Sequence, residues 1–385
     1  MIDWSPNDTQ QEVAQHARTF AAEVLAPRAA ALDREGGFPR DTLAQAAQAG
    51  LCGINIPRAL GGREAGVVAY SLAITETARA CASTTVALCV TNMVAEVVAH
   101  FGTEDQRTQW VPRLCRGELR AGAFALSEPG AGSDAGAMRT TATRTDRGWV
   151  LEGSKLWITS GTDAGLFVVW ARTSDTPGTG GISAFLVPGD TPGLTRGKPE
   201  HKMGLSGSTT TAIDMSGCEV GPEALLGQEG RGFPVAMMAL DGGRVGIASQ
   251  ALGIGLAATE AAARYVRVHE GPGPAWREQQ AVQWALADNA TDLDAARLLT
   301  LRAAWLKEQG RTFSREASIA KVFSTERAFA ACDRALEIMG AAGTDEAEGV
   351  ERRYRDVRVS MIYEGTSEVQ RIVISRNIMW RFSKA

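Results

Sequence analysis

Ala123-Phe124-Ala125-Leu126-Ser127-Glu128-Pro129-Gly130-Ala131-Gly132-Ser133-Asp134 divides the chain into two kinds of sequence. Upstream of about Arg120, apolar residues recur at helical spacing. From Ala123 to Ser127 the pattern is that of a short strand, and a glycine-rich loop follows at once. Downstream, Thr140 to Thr145 and Trp149 to Glu152 flank Asp146-Arg147-Gly148, which is a hairpin signal. Leu166 to Ala171 and Ile182 to Val187 read as buried strands on either side of a Gly/Pro-rich loop at Pro177 to Gly181. Thr209 to Met215 is expected to close the β region.

Helices lie on both sides of this block. Near the N-terminus, Thr9-Gln10-Gln11-Glu12 has the form of a capping box. Val13, Ala17, Phe20 and Val24 then fall on one face, and Pro27 is expected to bend or end that helix. Asp41 to Ala49, Ala69 to Arg79 and Val86 to His100 are further helices, the last ended near Gly102. Thr103-Glu104-Asp105-Gln106 starts another. Helical periodicity returns from about Phe233, with breaks at Gly271 to Pro274, Gly310 and Gly340 to Gly349. This order excludes an alternating βαβ fold. It predicts an α+β multidomain chain: an N-terminal helical domain over 1–119, a β-domain over 120–228 and a C-terminal helical bundle over 229–385.

Composition narrows the function classes. A formal net charge of −4 over 385 residues gives no basic footprint for nucleic acid. No basic start is followed by an apolar run, so no secretory signal is expected. No uninterrupted apolar stretch approaches the roughly 20 residues of a membrane span, so no membrane insertion is expected. The six cysteines are scattered without a CxxC pair, which predicts reduced thiols and a cytoplasmic location. The four histidines do not cluster, so no metal site is expected.

Four segments are candidates for chemistry. The loop from Glu128 to Asp134 could bring backbone N–H groups and the Ser133 hydroxyl to a phosphate, or it could be a tight turn. Lys155-Leu156-Trp157-Ile158-Thr159-Ser160-Gly161 offers a flat indole face and a hydroxyl, although a Trp near a strand end is more often core. Gly253-Ile254-Gly255-Leu256-Ala257-Ala258 matches a dinucleotide fingerprint on paper. It follows no strand and lies within a helical pattern, so close helix packing explains its glycines better. Ile362-Tyr363-Glu364-Gly365-Thr366-Ser367 places a carboxylate between an aromatic and a glycine. It reads either as a helix start or as a base whose pKa is raised by apolar surroundings.

Taken together, Phe124 to Asp134, Trp157-Ile158-Thr159, Lys202-Met203-Gly204, Leu240-Asp241-Gly242-Gly243-Arg244 and Tyr363-Glu364-Gly365-Thr366 resemble the acyl-CoA dehydrogenase family nearly end to end. The resemblance is to the short/medium-chain-like branch, whose base lies in the Tyr-Glu-Gly-Thr motif. It implies a helical domain, a β-domain and a helical bundle, with FAD between the last two. It also implies FAD-dependent α,β-dehydrogenation of an acyl thioester to the 2-enoyl thioester, with Glu364 as the base. Phe124, Leu126, Ser127, Ser133, Trp157 and Thr159 are expected to contact FAD, with Thr366 and Glu368 near its ADP half. Ser133, Arg244, Tyr363 and Gly365 are expected on the substrate side. Another branch of the family carries its base on the helix of Gly243 and a small residue at Glu364, so these two positions agree on the common branch. The implied partners are an acyl-CoA or acyl-carrier-protein thioester and an electron-transfer flavoprotein or similar acceptor. The implied assembly is a homotetramer, with a dimer or a heteromer as alternatives.

Two segments depart from the family pattern. An Arg and a Phe that reach a neighbour's FAD correspond to His269 and Pro272. In a second cross-interface segment, Glu337 stands for Gln and Ala341 for Gly. An Arg–phosphate pair is among the stronger polar contacts, and an acid near a diphosphate is repelled. The alternatives are weakened FAD binding, a heteromer whose partner supplies the missing groups, a non-redox acid/base role for Glu364, or local compensation. Thr91 to Val98, with the charge of Glu96, is expected to border the acyl pocket. Its length preference cannot be read from the sequence.

Overall fold

The structure is a computed structural model that describes residues 5–269 and 275–382. The first third is helical: α1 (Asp8–Phe20), α2 (Ala26–Glu35), α3 (Arg40–Gln48), α4 (Gly66–Ala80), α5 (Ala82–Phe101) and α6 (Glu104–Cys115). The capping box of α1 is formed by Asn7 and Gln10, two residues before the expected one. Asn caps as well as Thr, and Gln10 stands at the required spacing. Pro27 does not end the helix. A π-turn over Ala21–Leu25 leads straight into α2, whose first turn contains the proline and tolerates its missing N–H. Thr103 and Gln106 do form the capping box of α6.

The middle of the chain is a single sheet: β1 (Gly122–Ala125), β2 (Thr141–Thr145), β3 (Gly148–Thr159), β4 (Leu166–Arg172), β5 (Ile182–Pro188), β6 (Leu194–Pro199), β7 (Thr210–Val220) and β8 (Leu225–Leu226). The strand order is β6-β7-β3-β2-β4-β5-β8, with β1 pairing parallel to β4. The Asp146-Arg147-Gly148 hairpin forms as expected. The sequence reading missed β6 and β8, and Thr209 to Met215 does not end the β region.

The last part contains α7 (Gly232–Val268), α8 (Gln280–Glu308), α9 (Ser314–Met339), α10 (Val350–Arg358) and α11 (Ser367–Phe382). Contrary to the sequence expectation, α5 and α7 are each long and apolar enough to cross a membrane. Yet 89% and 83% of their apolar windows lie buried inside the fold, as core helices do. Gly253 and Gly255 are packing residues. A Cβ at Gly253 would lie 2.3 Å from the Thr75 carbonyl oxygen of α4, and one at Gly255 would lie 2.9 Å from Leu293 of α8. Hydrogen bonds fasten the strands and their connections to the C-terminal helices. Trp170 Nε1 donates to the Gly232 carbonyl at 2.8 Å, and the Leu205 amide donates to the buried Asp356 carboxylate of α10 at 2.5 Å.

Candidate active site

The glycine-rich loop forms the tight turn its sequence allowed and leaves several of its amides open. Glu128 and Ala131 exchange backbone hydrogen bonds of 3.1 Å across Pro129-Gly130, which makes a tight turn. Among the described residues, the amides of Gly130, Gly132 and Ser133 have no partner within the chain. A Cβ at either glycine would meet nothing within 4 Å, so the backbone is open to an approaching anion.

The loop is anchored from beneath by Glu128. Its carboxylate accepts from the Arg139 amide at 2.6 Å, the Thr140 amide at 3.0 Å and the wholly buried Lys155 Nζ at 2.8 Å. A buried ion pair is tolerable when its oxygens and protons are this well satisfied. Burial alone would raise the Glu128 pKa, but Lys155, Thr140 and Arg139 bring it below its ordinary value. Burial lowers Lys155 to about 8.

Trp157 is not core. Four residues of β3, Lys155 to Ile158, stand against three of β7, Ile213 to Thr211, so β3 carries a bulge here. Trp157 sits in that bulge at φ 63° and is 56% exposed. A bulge re-aims a side chain in this way. The Leu156 amide donates to the Ser127 carbonyl at 2.9 Å, which ties the bulge to the glycine-rich loop. Phe124 packs on Trp170 with ring centroids 4.3 Å apart, Leu126 is buried, and Ser127 and Thr159 are half-buried.

The second half of the site is the turn before α11. Glu364 and Gly365 both have left-handed backbones, at φ 55° and 88°. Thr366 caps α11 by accepting from the Val369 amide at 3.3 Å, so the helix-start reading of this segment is also correct. Glu368, exposed in the first turn of α11, is held below the usual carboxylate range by the Thr366 hydroxyl. Tyr363 donates its hydroxyl proton to Gln250 Oε1.

The Oε2 atom of Glu364 is buried and makes no hydrogen bond. A Cβ on Gly243 would lie 2.7 Å from it. Burial raises this carboxyl to about 7, against the opposing charges of Arg244 and Lys321. Arg244 is 5% exposed and is held by Asp241 at 2.5 Å and Ser318 at 3.3 Å. Gly243 and Met93 also line a small cavity with Tyr70, Asn92 and Gly242. Glu96 of α5 and Lys307 of α8, an ion pair of 2.5 Å, are also in the lining of that cavity.

FAD fits these residues on the side of the β-domain. The free amides of the loop suit a diphosphate, the exposed indole of Trp157 suits an aromatic ring system, and the N-terminus of α11 presents a further anion-binding end. Of the four departures, His269 stacks on Tyr265 at 4.0 Å, while Glu337 and Ala341 are exposed. Pro272 lies outside the described residues. The sequence reading missed two residues that touch the turn of Glu364 and Gly365, Lys321 of α9 and Gln370 of α11. Only their place on the buried faces of those helices could have signalled them.

A buried, unbonded carboxyl and a loop of open amides are features that a flavin-dependent dehydrogenase would need, and the comparisons show the family: the chain belongs to the acyl-CoA dehydrogenase family. The family's N-terminal, middle and C-terminal domains match residues 7–118, 123–218 and 230–379. The chain is 44% identical to the mitochondrial short-chain specific acyl-CoA dehydrogenase of Bos taurus, over 97% of this chain and 90% of that one. It superposes with a TM-score of 0.96 on the solved butyryl-CoA dehydrogenase of Megasphaera elsdenii, at 36% identity over 98% and 100% of the two chains. The TM-score is also 0.96 to a chain in the solved electron transferring flavoprotein structure of Acidaminococcus fermentans, at 39% identity over 98% and 99%.

Proposed function

We propose that this protein is an FAD-dependent acyl-CoA dehydrogenase acting on short acyl chains, with Glu364 as the base. The chemistry is removal of an α-proton and a β-hydride from an acyl thioester to leave the 2-enoyl thioester. Bound FAD supplies the acceptor for the hydride. The observation that carries the reading is the Glu364 Oε2 atom, buried, unbonded and facing Gly243 at the edge of the cavity. The α-proton passes to that oxygen, and Arg244 keeps the carboxylate from becoming too weak an acid to ionise. Phe124, Leu126, Ser127, Ser133, Trp157 and Thr159 hold the flavin side, with Thr366 and Glu368 at the ADP end. Tyr363 and Gly365 border the thioester.

The short-chain preference is supported by the Glu96–Lys307 pair, which lines the small cavity beside Gly243. The acceptor is an electron-transfer flavoprotein. A homotetramer is supported by the exposed apolar side chains of Trp284 and Trp305 on α8 and of Ile378, Met379 and Trp380 on α11. A cytoplasmic setting is supported by six buried, unbridged cysteines. The test is anaerobic mixing of the FAD-loaded enzyme with butyryl-CoA. Bleaching of the flavin by the wild type, and its loss in Glu364→Gln at undiminished FAD content, is the expected result. Normal bleaching by that variant would remove Glu364 from the mechanism.

A further inference from the structure

Lys321 lies on the inward face of α9 among Ala317, Ser318, Ala320 and Ser324, and is fully buried. An ammonium there is expensive unless it is well used. Its one hydrogen bond among the described residues runs from Nζ to the Gly365 carbonyl at 2.7 Å. No carboxylate bonds to it. Gln370, also fully buried, donates to the carbonyls of Glu364 and Gly365 at 3.1 and 2.9 Å. The two carbonyls of the left-handed turn are thus held by two buried donors from two helices. A residue with a β-carbon seldom keeps a left-handed backbone unless its surroundings hold it there.

We propose, on the reading that Glu364 is the base, that Lys321 is its positioning residue: the ammonium clamps the turn through the Gly365 carbonyl and places a positive charge beside the carboxylate. Two cations act on Glu364. Arg244 from α7 already has its own counter-ion in Asp241. Arg244 has the larger effect on the carboxyl; Lys321 from α9 has no counter-ion bonded to it among the described residues, and its charge adds to that of Arg244. The other titratable groups facing Glu364 are Tyr70 from α4, Cys89 from α5 and the adjacent Tyr363. All three are kept neutral because burial raises their pKa values. Around Lys321 itself, Glu326 and Glu368 act in the same direction as Glu364, and Arg244 opposes them. Burial lowers the lysine to about 7, so it is held charged chiefly by the ionised base it serves.

The experiment uses FAD-loaded enzyme and methylthioacetyl-CoA in D2O, with deuterium uptake at the α-carbon read from pH 5.5 to 9. Sulfur replaces the β-carbon of this probe, so proton abstraction is followed without redox. Lys321→Met is expected to lower the plateau rate by ~10-fold or more and to move the acid limb to higher pH, because a positive charge near the carboxylate is lost. Lys321→Gln keeps a donor for Gly365. It is expected to recover much of the plateau while its limb stays shifted. FAD content read by absorbance should match the wild type in both.

An unmoved limb in the Gln variant overturns the proposal, including the case in which the Met variant fails to fold. Unchanged plateau and limb in a folded Met variant overturn it as well. Glu364→Gln is the control. If it exchanges at the wild-type rate, the assignment of the base fails. If it loses exchange while both lysine variants behave as wild type, only the role of Lys321 fails.

Discussion

Gly243 of α7 and Glu364 of the turn before α11 meet with no room between them: a Cβ on the glycine would sit 2.7 Å from the carboxylate Oε2 and 3.0 Å from its Cδ. The absence of a side chain at one position therefore makes the other possible. Gly243→Ala must push the carboxylate away from its seat, since the α7 backbone is the stiffer of the two. The variant should fold normally and lose roughly 10²-fold in the rate of flavin bleaching by butyryl-CoA, the scale for a catalytic group displaced by about 1 Å. A single-turnover rate close to the wild type would show that the carboxylate has other productive positions.

The raised pKa of Glu364 gives a stability prediction with a definite sign. Burial lifts the folded value to about 7 from an ordinary 4.5. Below pH 4.5 the carboxyl is neutral in both folded and unfolded chains. Between pH 4.5 and about 7 the unfolded chain ionises while the folded chain keeps its proton, so stability is lost across that window and the loss is complete above it. Glu364→Gln removes the penalty. The Tm of the variant relative to wild type should be higher at pH 8 than at pH 5, measured by calorimetry on the flavin-free protein. An equal difference at both pH values would mean that Glu364 titrates as an ordinary surface carboxyl.

Gly132 has open space where a Cβ would go. The chain itself therefore tolerates a side chain there, while a diphosphate at the same amides does not. Gly132→Val should leave the Tm of the flavin-free protein unchanged and abolish or greatly weaken FAD binding, read as flavin absorbance per chain. Full stoichiometry in the variant would remove this loop from the cofactor site.

Removing the Glu96–Lys307 pair from the cavity lining should change the chain-length preference. The variant is the double one, Glu96→Ala with Lys307→Ala, because removing one partner alone strands a poorly solvated charge. Each additional buried methylene is worth about 0.8 kcal/mol, or roughly fourfold in kcat/KM. The ratio of octanoyl-CoA to butyryl-CoA activity should rise by up to two orders of magnitude, on the order of four methylenes at that increment. An unchanged ratio would place the end of the acyl chain elsewhere.

His269 and Glu337 are the two departures that bear charge or can acquire it. If these exposed positions face a neighbour's FAD, His269→Arg with Glu337→Gln should tighten FAD binding by about 1.5–3 kcal/mol, the scale of one charged hydrogen bond. Titration calorimetry on the flavin-free protein decides it. No change would mean that the surrounding structure already compensates.

The order of helices and strands was legible because buried strands and amphipathic helices carry different periods. β6 was not, because Leu194–Pro199 is half-exposed, contains Gly197 and Pro199, and lacks the alternation of a buried strand. β8, at two residues, is too short for any pattern. Glu364 was found through its neighbours in the motif. Lys321 was not, because a single lysine in a helix reads as a solvated face, and only tertiary packing shows that this one points inward. Trp157 was legible only through the resemblance, because the general habit of tryptophans points to the core and a bulge leaves no mark in the spacing of β3. The Asn7 cap was missed by two residues because Thr9 satisfies the same local rule.

The six cysteines, buried in α5, α6, α9, β7, the segment before α4 and the junction of α4 and α5, have a use beyond packing. Burial raises every one of their thiols, Cys52, Cys89 and Cys332 to about 12, so the native protein should be almost inert to alkylating reagents. Each cysteine becomes reactive only when its own neighbourhood opens. They thus form a built-in set of clocks distributed over all three layers. Mass-resolved alkylation under native conditions would rank the local opening free energies of the helices and the sheet without introducing a single label.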